Sequence, residues 1–429
     1  MIRASGQAHQ NYLAWWLTLF AVYAVIMAIV TRGPSQVWGA WAAAGYAVAA
    51  LTAWRWRGSA LPLLIGVCGA VAAPTIWLSI GWQPGEEPVV VARAAFLLLH
   101  HGSPYLASGQ LVSAQSYNPY LPAMSVFGLP YMARLPGILG NPESWMAVTT
   151  LVLTAVAIRV ALPHLSWRRA AEARPLLRKT ALALVTPVLA LPIALGTTDP
   201  PVIALICVAL ACASRSVAGG AEAARESATV RWITWNGLAA LAIGIACAMK
   251  ATAWPAVPVI AAMLASRIGI RAAVRFAGAA IATAAILTIA FAPVLVTQPG
   301  AFFDNIIAYP LGLAHHLTPA ASPLPGHLLA DTGTPGRMAA LGLLLVGALG
   351  IAASLVRRPP RDILAATVYI ALGLTLLFTL APNSRFGYFA YPAALIGWFA
   401  LTGRPRAART GEPWPKRAHN PSQGSPARL

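Results

Sequence analysis

Apolar runs of roughly twenty residues, separated by charged or Pro- and Gly-rich breaks, recur along the whole chain. The hydrocarbon core of a bilayer takes about 20 residues of α-helix to cross. The pattern therefore predicts spans at 12–30, 37–54, 61–82, 145–162, 181–196, 202–214, 233–250, 254–266, 276–296, 338–355, 363–380 and 386–401. That is an all-α, polytopic transmembrane bundle of about twelve spans with both termini on one side. The spans starting at Val202 and Trp254 are short, so their ends are expected to sit in protein or in a cavity. The first run is long, lacks a small-residue cleavage site and is followed at once by another, which sets it apart from a signal peptide. The organisation expected is one membrane domain over 1–402, with long external loops at 83–144 and 297–337 and a basic tail at 403–429. That tail is rich in Arg, Pro and Ser and is expected to lie disordered against an anionic leaflet.

Composition narrows the class. Hydrophobic residues make up 58% and charged ones 10% of the 429 residues, against roughly 25% charged in a soluble domain. A net charge of +19 raises the question of nucleic acid, but its distribution answers it. With the N-terminus cytoplasmic, every Lys and Arg falls on cytoplasmic segments except Arg32, Arg93, Arg134, Lys250, Arg337 and Arg385. This is the bias of the positive-inside rule, so it predicts a multi-pass cell-membrane protein with cytoplasmic termini and no nucleic-acid partner. Cys68, Cys207, Cys212 and Cys247 all lie in apolar runs and are expected to be core packing, without disulfides.

Both long loops fall on the external face, and long loops in compact proteins tend to be functional. The first opens with Gly85-Glu86-Glu87-Pro88, runs through an apolar stretch carrying Arg93 to His100-His101-Gly102-Ser103-Pro104-Tyr105, and continues through Tyr117-Asn118-Pro119-Tyr120-Leu121-Pro122 into a second apolar stretch ending at Leu139. Pro122 and Pro130 interrupt the latter, and a crossing there would invert the charge bias. Two interfacial or re-entrant helices are therefore expected, one over 89–99. The second loop holds Asp304, His315, His316, His327 and Asp331 among many prolines. The His315-His316 pair lacks a third spaced ligand, so no metal site is expected.

Charge at the external ends of helices is costly and informative. Asp199 lies in Thr197-Thr198-Asp199-Pro200-Pro201, Lys250 precedes Trp254-Pro255, and Arg385 precedes Phe386-Gly387-Tyr388. Each alone fits a helix-end residue reaching water. Three on one side, facing Glu86 and Glu87, fit a cavity suited to anionic lipid chemistry.

At these residues the chain resembles the GT-C glycosyltransferases, and most of all the bacterial polyprenyl-phosphomannose-dependent α-mannosyltransferases of cell-envelope glycolipids. The likeness covers roughly residues 80 to 395. It rests on Glu86/Glu87 through Gly102-Ser103-Pro104-Tyr105, on Tyr117-Asn118-Pro119-Tyr120-Leu121-Pro122, on Thr198-Asp199-Pro200-Pro201, on Lys250 with Trp254-Pro255, and on Tyr388-Phe389-Ala390-Tyr391-Pro392. Two features depart from that family: Glu stands where Asp is usual, and three helices precede the first loop where many relatives have one.

The resemblance implies an inverting transfer of a sugar, mannose foremost, from a polyprenyl-phosphate carrier to a lipid or glycan acceptor at the extracytoplasmic face, with no cofactor. Glu87 or Glu86 would be the general base, with Glu87 favoured because Pro88 fixes the chain after it. The adjacent like charge and an apolar surround would raise its pKa. Asp199 would bind sugar hydroxyls or serve as the alternative base. Lys250, Arg385 and Arg93 would hold the donor phosphate, joined by His315 or His316. Tyr105, Tyr117, Asn118 and Tyr120 would line the acceptor site. Two other classes use the same ingredients: a transporter or flippase of a lipid-linked or anionic substrate, and an inactive scaffold for envelope synthesis.

Overall fold

The computed structural model describes residues 2–56, 59–81, 85–165, 170–217, 235–296, 299–316 and 318–402. The tail expected at 403–429 lies outside the described residues, as do the turn at 82–84 and the connection at 218–234.

The described residues are almost wholly helical, with a single isolated bridge between Ala321 and Ser384. The principal helices are α1 (Ile2–Val30), α2 (Pro34–Arg55), α3 (Leu61–Ile80), α4 (Glu86–His101), α5 (Pro142–Ala161), α6 (Ala170–Leu184), α7 (Pro187–Ala194), α8 (Asp199–Val217), α9 (Gly237–Met249), α10 (Ala256–Arg267), α11 (Ile270–Ala290), α12 (Thr334–Arg357), α13 (Ile363–Leu380) and α14 (Ala390–Thr402). Seven of the described helices are long and apolar enough to cross a membrane, or up to eight if the bent pair α6–α7 is one span. Each of the twelve runs read from the sequence overlaps a described helix, the run at 181–196 crossing from α6 into α7, while length and composition mark this smaller number as spans.

Local chemistry explains the breaks. Thr186, held extended ahead of Pro187, separates α6 from α7, and their axes bend by 79°. A π-turn over Cys68–Ala72 interrupts α3, placing Gly69 against Gly45 of α2 so closely that a Cβ on either would strike the other's backbone. Backbone contact through small residues is how helices associate where lipid is as apolar as leucine.

The bundle is organised around α8. Of its apolar window, 83% is buried, against 11–44% for the other six spanning helices, and it packs on α5 and α9. The shortness read for this run is an underestimate: the helix starts at Asp199 itself, with Pro200 and Pro201 in the first turn, where a missing N–H costs nothing. Cys207, Cys212 and Cys247 are buried as expected, but Cys68, the first residue of the π-turn, is exposed.

The first long loop differs in part from its reading. The helix expected at 89–99 is longer, starting at Glu86, so both carboxylates stand in its first turn. The second apolar stretch forms a 3-10 helix (Pro122–Gly128), one α-turn (Leu129–Met132) and a separate 3-10 turn (Gly137–Leu139), with no continuous interfacial helix. Pro122 and Pro130 open the first two of these, and a proline deeper in a helix would remove a hydrogen bond.

Gly45→Val should destabilise the protein by about 1–3 kcal/mol through overpacking at the α2–α3 contact. Gly278→Ala, where an added Cβ meets nothing, should leave thermal stability equal or raised. Melting of the purified proteins in detergent compares the two.

Candidate active site

Four chain segments meet at one end of the bundle. Helix α4 brings Glu86, Val89, Val90 and Arg93 onto one face, because positions i, i+3, i+4 and i+7 align on a helix. Its opposite face, with Val91, Ala92, Ala94 and Ala95, is buried. The Gly196–Asp199 turn leads into α8, Lys250 follows the last residue of α9, and Arg385 precedes the 3-10 turn Phe386–Phe389.

Asp199 and Lys250 form a buried ion pair. The Lys250 Nζ also donates to the Thr198 Oγ1 at 2.9 Å. That hydroxyl in turn donates to the Glu87 Oε2 at 2.7 Å, and the Thr198 backbone N–H donates to the same oxygen at 2.8 Å. The result is one chain of charge and hydrogen bonds from Asp199 through Lys250 and Thr198 to Glu87. The ammonium sits 5.3 Å from the ring centroid of Tyr120 and 5.5 Å from that of Tyr388, within range of cation–π attraction. The turn needs glycine at position 196, where φ is +64° and an added Cβ would collide with Glu143. Glu143 is itself buried, accepts from the Ser79 Oγ at 3.3 Å, and leaves its Oε2 without a partner among the described residues.

Above this floor lies a cavity of about 550 Å³, walled by Glu86, Glu87, Arg93, Tyr117, Tyr120 and Arg385, with Gln115, Tyr309 and Tyr388 among its other lining residues. The Arg385 Nη2 donates to the Glu86 Oε2 at 3.1 Å, so the two neighbouring carboxylates face different partners. Arg93 uses its guanidinium on backbone, donating to the carbonyls of Gln115 and, at 2.8 Å, of Tyr117. Tyr117 stacks face to face on Tyr309, centroids 4.2 Å apart. The second long loop clasps the segment that carries Arg385: Ser322 N–H donates to the Ser384 carbonyl at 3.0 Å, and the His327 Nδ1 lies 2.9 Å from the Pro382 carbonyl.

The residues singled out from sequence thus fall into three positions. Glu86, Glu87, Arg93, Arg385, Tyr117 and Tyr120 line the cavity, with Asp199 and Lys250 directly behind its wall. Tyr105 and Asn118 support the wall from inside: the Tyr105 hydroxyl donates to the Tyr120 carbonyl at 2.9 Å, and Asn118 links Pro104, Tyr120 and Asn305. His315 is exposed, and His316 meets the edge of Tyr117 at 6.3 Å without reaching the cavity wall. Sequence reasoning gave no role to Thr198, Tyr309 or Tyr388. Thr198 had a visible signal, a hydroxyl next to the acid that opens a helix. Tyr309 had none, because its partner Tyr117 is far away in sequence.

No family model matches the chain, and no curated protein matches it. Among solved structures it is similar to ArnT from Cupriavidus metallidurans bound to undecaprenyl phosphate, with 15% identity and a TM-score of 0.47 over 82% of this chain and 60% of that one. It is similar also to the apo state of ArnT from the same organism, with 16% identity and a TM-score of 0.47 over 80% and 60% of the two chains. The chain spans 60% of the length of those proteins.

The raised pKa expected for the Glu87 carboxyl is reversed. Burial pushes it up, but Lys250, the two hydrogen bonds from Thr198 and the more distant Arg385 outweigh burial and hold it below its ordinary value. Glu86 does not supply the expected like charge because Arg385 draws it away.

Because the folded value lies below the unfolded one of about 4.3, Glu87 adds stability above that pH, and the contribution is lost as pH falls through the folded value. Wild-type protein should therefore lose melting temperature more steeply below about pH 4.3 than Glu87→Gln. Lys250→Met, which leaves Asp199 buried and unpaired, should cost about 3–5 kcal/mol, and adding Asp199→Leu should recover most of it. Thermal melts of the single and double variants measure the recovery.

Proposed function

We propose that the chain is a membrane glycosyltransferase of GT-C type, taking a sugar from a polyprenyl-phosphate carrier to a lipid or glycan acceptor at the extracytoplasmic face. Mannose is the sugar implied by the resemblance to the polyprenyl-phosphomannose-dependent enzymes. The observation that carries the proposal is one cavity holding both an oriented carboxylate, Glu87, and a guanidinium, Arg385, that is paired with a single carboxylate among the described residues.

In a single inverting displacement the acceptor hydroxyl oxygen attacks the anomeric carbon as the bond from that carbon to the phosphate oxygen breaks. The bonding electrons leave with the phosphate, and the hydroxyl proton passes to a base within hydrogen-bond reach. The Glu87 Oε2 is occupied by both Thr198 donors, while its Oε1 accepts no hydrogen bond among the described residues, so Oε1 is the atom assigned to take the proton. Asp199 is committed to Lys250 and fits less well as base. Lys250 acts through Thr198, polarising the hydroxyl that holds Glu87.

Arg385 offers the planar donors that suit the departing phosphate. Arg93 and Asn118 shape the acceptor wall by holding the 115–120 segment, and Tyr117, Tyr120 and Tyr388 supply aromatic surface for the sugar. His316 stands at the edge of Tyr117, outside that wall.

The test is transfer of radiolabelled mannose from polyprenyl-phosphomannose to a host lipid extract by protein in nanodiscs. Glu87→Gln should lose about 10²–10⁴-fold in rate, the usual contribution of a positioned base, while Glu86→Gln retains most activity and Arg385→Lys raises KM for the donor. Transfer that survives Glu87→Gln but not Asp199→Asn would move the base. An absence of transfer from both this donor and an arabinose analogue would sink the reading.

A further inference from the structure

A second opening lies at the other end of the bundle. Residues 79 and 141–143 lie at the end that carries the site, joined by the Asn141 side chain donating to the Ser79 carbonyl at 2.8 Å. The start of α3, at Leu61, and the last turn of α14 are therefore at the far end. There Ser59, Arg174, Arg178 and Lys179 surround a recess of about 930 Å³. Lys179 donates to the Leu401 carbonyl at 2.6 Å, closing the end of α14. Arg174 and Arg178, one helical turn apart, are exposed and make no ion pair among the described residues.

This basic recess adjoins an apolar groove. Leu182 and Leu401 line both the recess and a cavity of about 500 Å³ between α1, α5, the α6–α7 bend, α8 and α14. Phe20, Leu189 and Ile203 give the groove its hydrocarbon walls. One polar atom in it lacks an explanation. Trp398 lines the groove and is 4% exposed, and its indole Nε1 is buried with no acceptor among the described residues. A buried indole N–H ordinarily finds a partner. Trp398 lies in the apolar groove one helical turn before Leu401, a residue that lines both the groove and the basic recess.

We propose that this groove holds an anionic diacyl glycerophospholipid. Its phosphate would sit at Arg174 and Arg178, an ester carbonyl would accept from the Trp398 Nε1, and an acyl chain would run along Phe20, Leu189 and Ile203. The order of groups along the protein, cation, then single donor, then hydrocarbon wall, matches the order along such a lipid. A polyprenyl phosphate matches the first and third but carries no acceptor for the second. The lipid belongs to the leaflet opposite the candidate active site. The inference goes beyond the proposed reaction and stands whether or not sugar transfer is the activity.

Native mass spectrometry after exchange of the purified full chain against mixed micelles of equal phosphatidylglycerol and phosphatidylcholine tests it. Phosphatidylglycerol should be retained preferentially. Arg174→Gln with Arg178→Gln should lower its retention about thirtyfold, taking about a tenth-power unit and a half for two surface cations, while the two Lys replacements largely preserve it. Trp398→Phe should lower retention about fivefold, the worth of one hydrogen bond. Arg357→Gln with Arg358→Gln, an exposed basic pair outside the groove, should change nothing. Equal retention of phosphatidylcholine, an equal loss on changing Arg357 and Arg358, no change on removing Arg174 and Arg178, or displacement of phosphatidylglycerol by an added polyprenyl phosphate would overturn the proposal.

Discussion

The buried pair of Asp199 and Lys250 is the constraint around which the rest is arranged. Taking either charge out of water alone costs several kcal/mol, so each needs the other, and together they fix the first residue of α8 beside the end of α9. The pair does not merely join two helices. Lys250 keeps a donor for Thr198, Thr198 passes the polarisation to Glu87, and the rings of Tyr120 and Tyr388 seal the ammonium from above. A helix of the interior, two loop segments and the start of α4 are thereby set by one electrostatic requirement. Such a pair does more to select a geometry than to add net stability over a well-packed apolar alternative.

The sequence made the helical architecture legible because most apolar runs approach a length set by the bilayer, and every run overlaps a described helix. The gathering of Glu87, Asp199, Lys250 and Arg385 was legible for a related reason: charges at helix ends on one face of a membrane have few places to go. Three other things were not. Whether Glu87 or its neighbour faces the cavity floor depends on where α4 begins, and one residue of offset rotates a helix by about 100°. The downward direction of the Glu87 shift comes first from Lys250 and then from the two Thr198 hydrogen bonds, all contacts between segments distant in the chain. What Arg93 binds within the protein was not visible either: it lines the cavity and also donates to the backbone carbonyls of residues 115 and 117, a segment more than twenty residues on.

Loops do as much as helices in this arrangement. The second long loop is built of short helical pieces joined by irregular segments, and in it Ser322 and His327 hold the segment before Arg385 while Tyr309 props Tyr117. Backbone in irregular conformation needs partners for its polar groups, and here those partners are the same residues that place the cavity's side chains. That economy ties the shape of the wall to the folding of the loops.

The two ion pairs at the site live in different media. Asp199 and Lys250 keep 7% and 8% of their side-chain surface, whereas Glu86 and Arg385 keep 72% and 33%. Mobile ions screen exposed charges over about 8 Å at physiological ionic strength and hardly touch buried ones. The rim of the cavity therefore responds to the ionic strength of the surrounding solution and the floor does not. Arg385 can exchange its carboxylate for another anion at little expense, since an exposed pair contributes only about 0–1 kcal/mol, while the carboxylate beneath stays in register throughout the exchange.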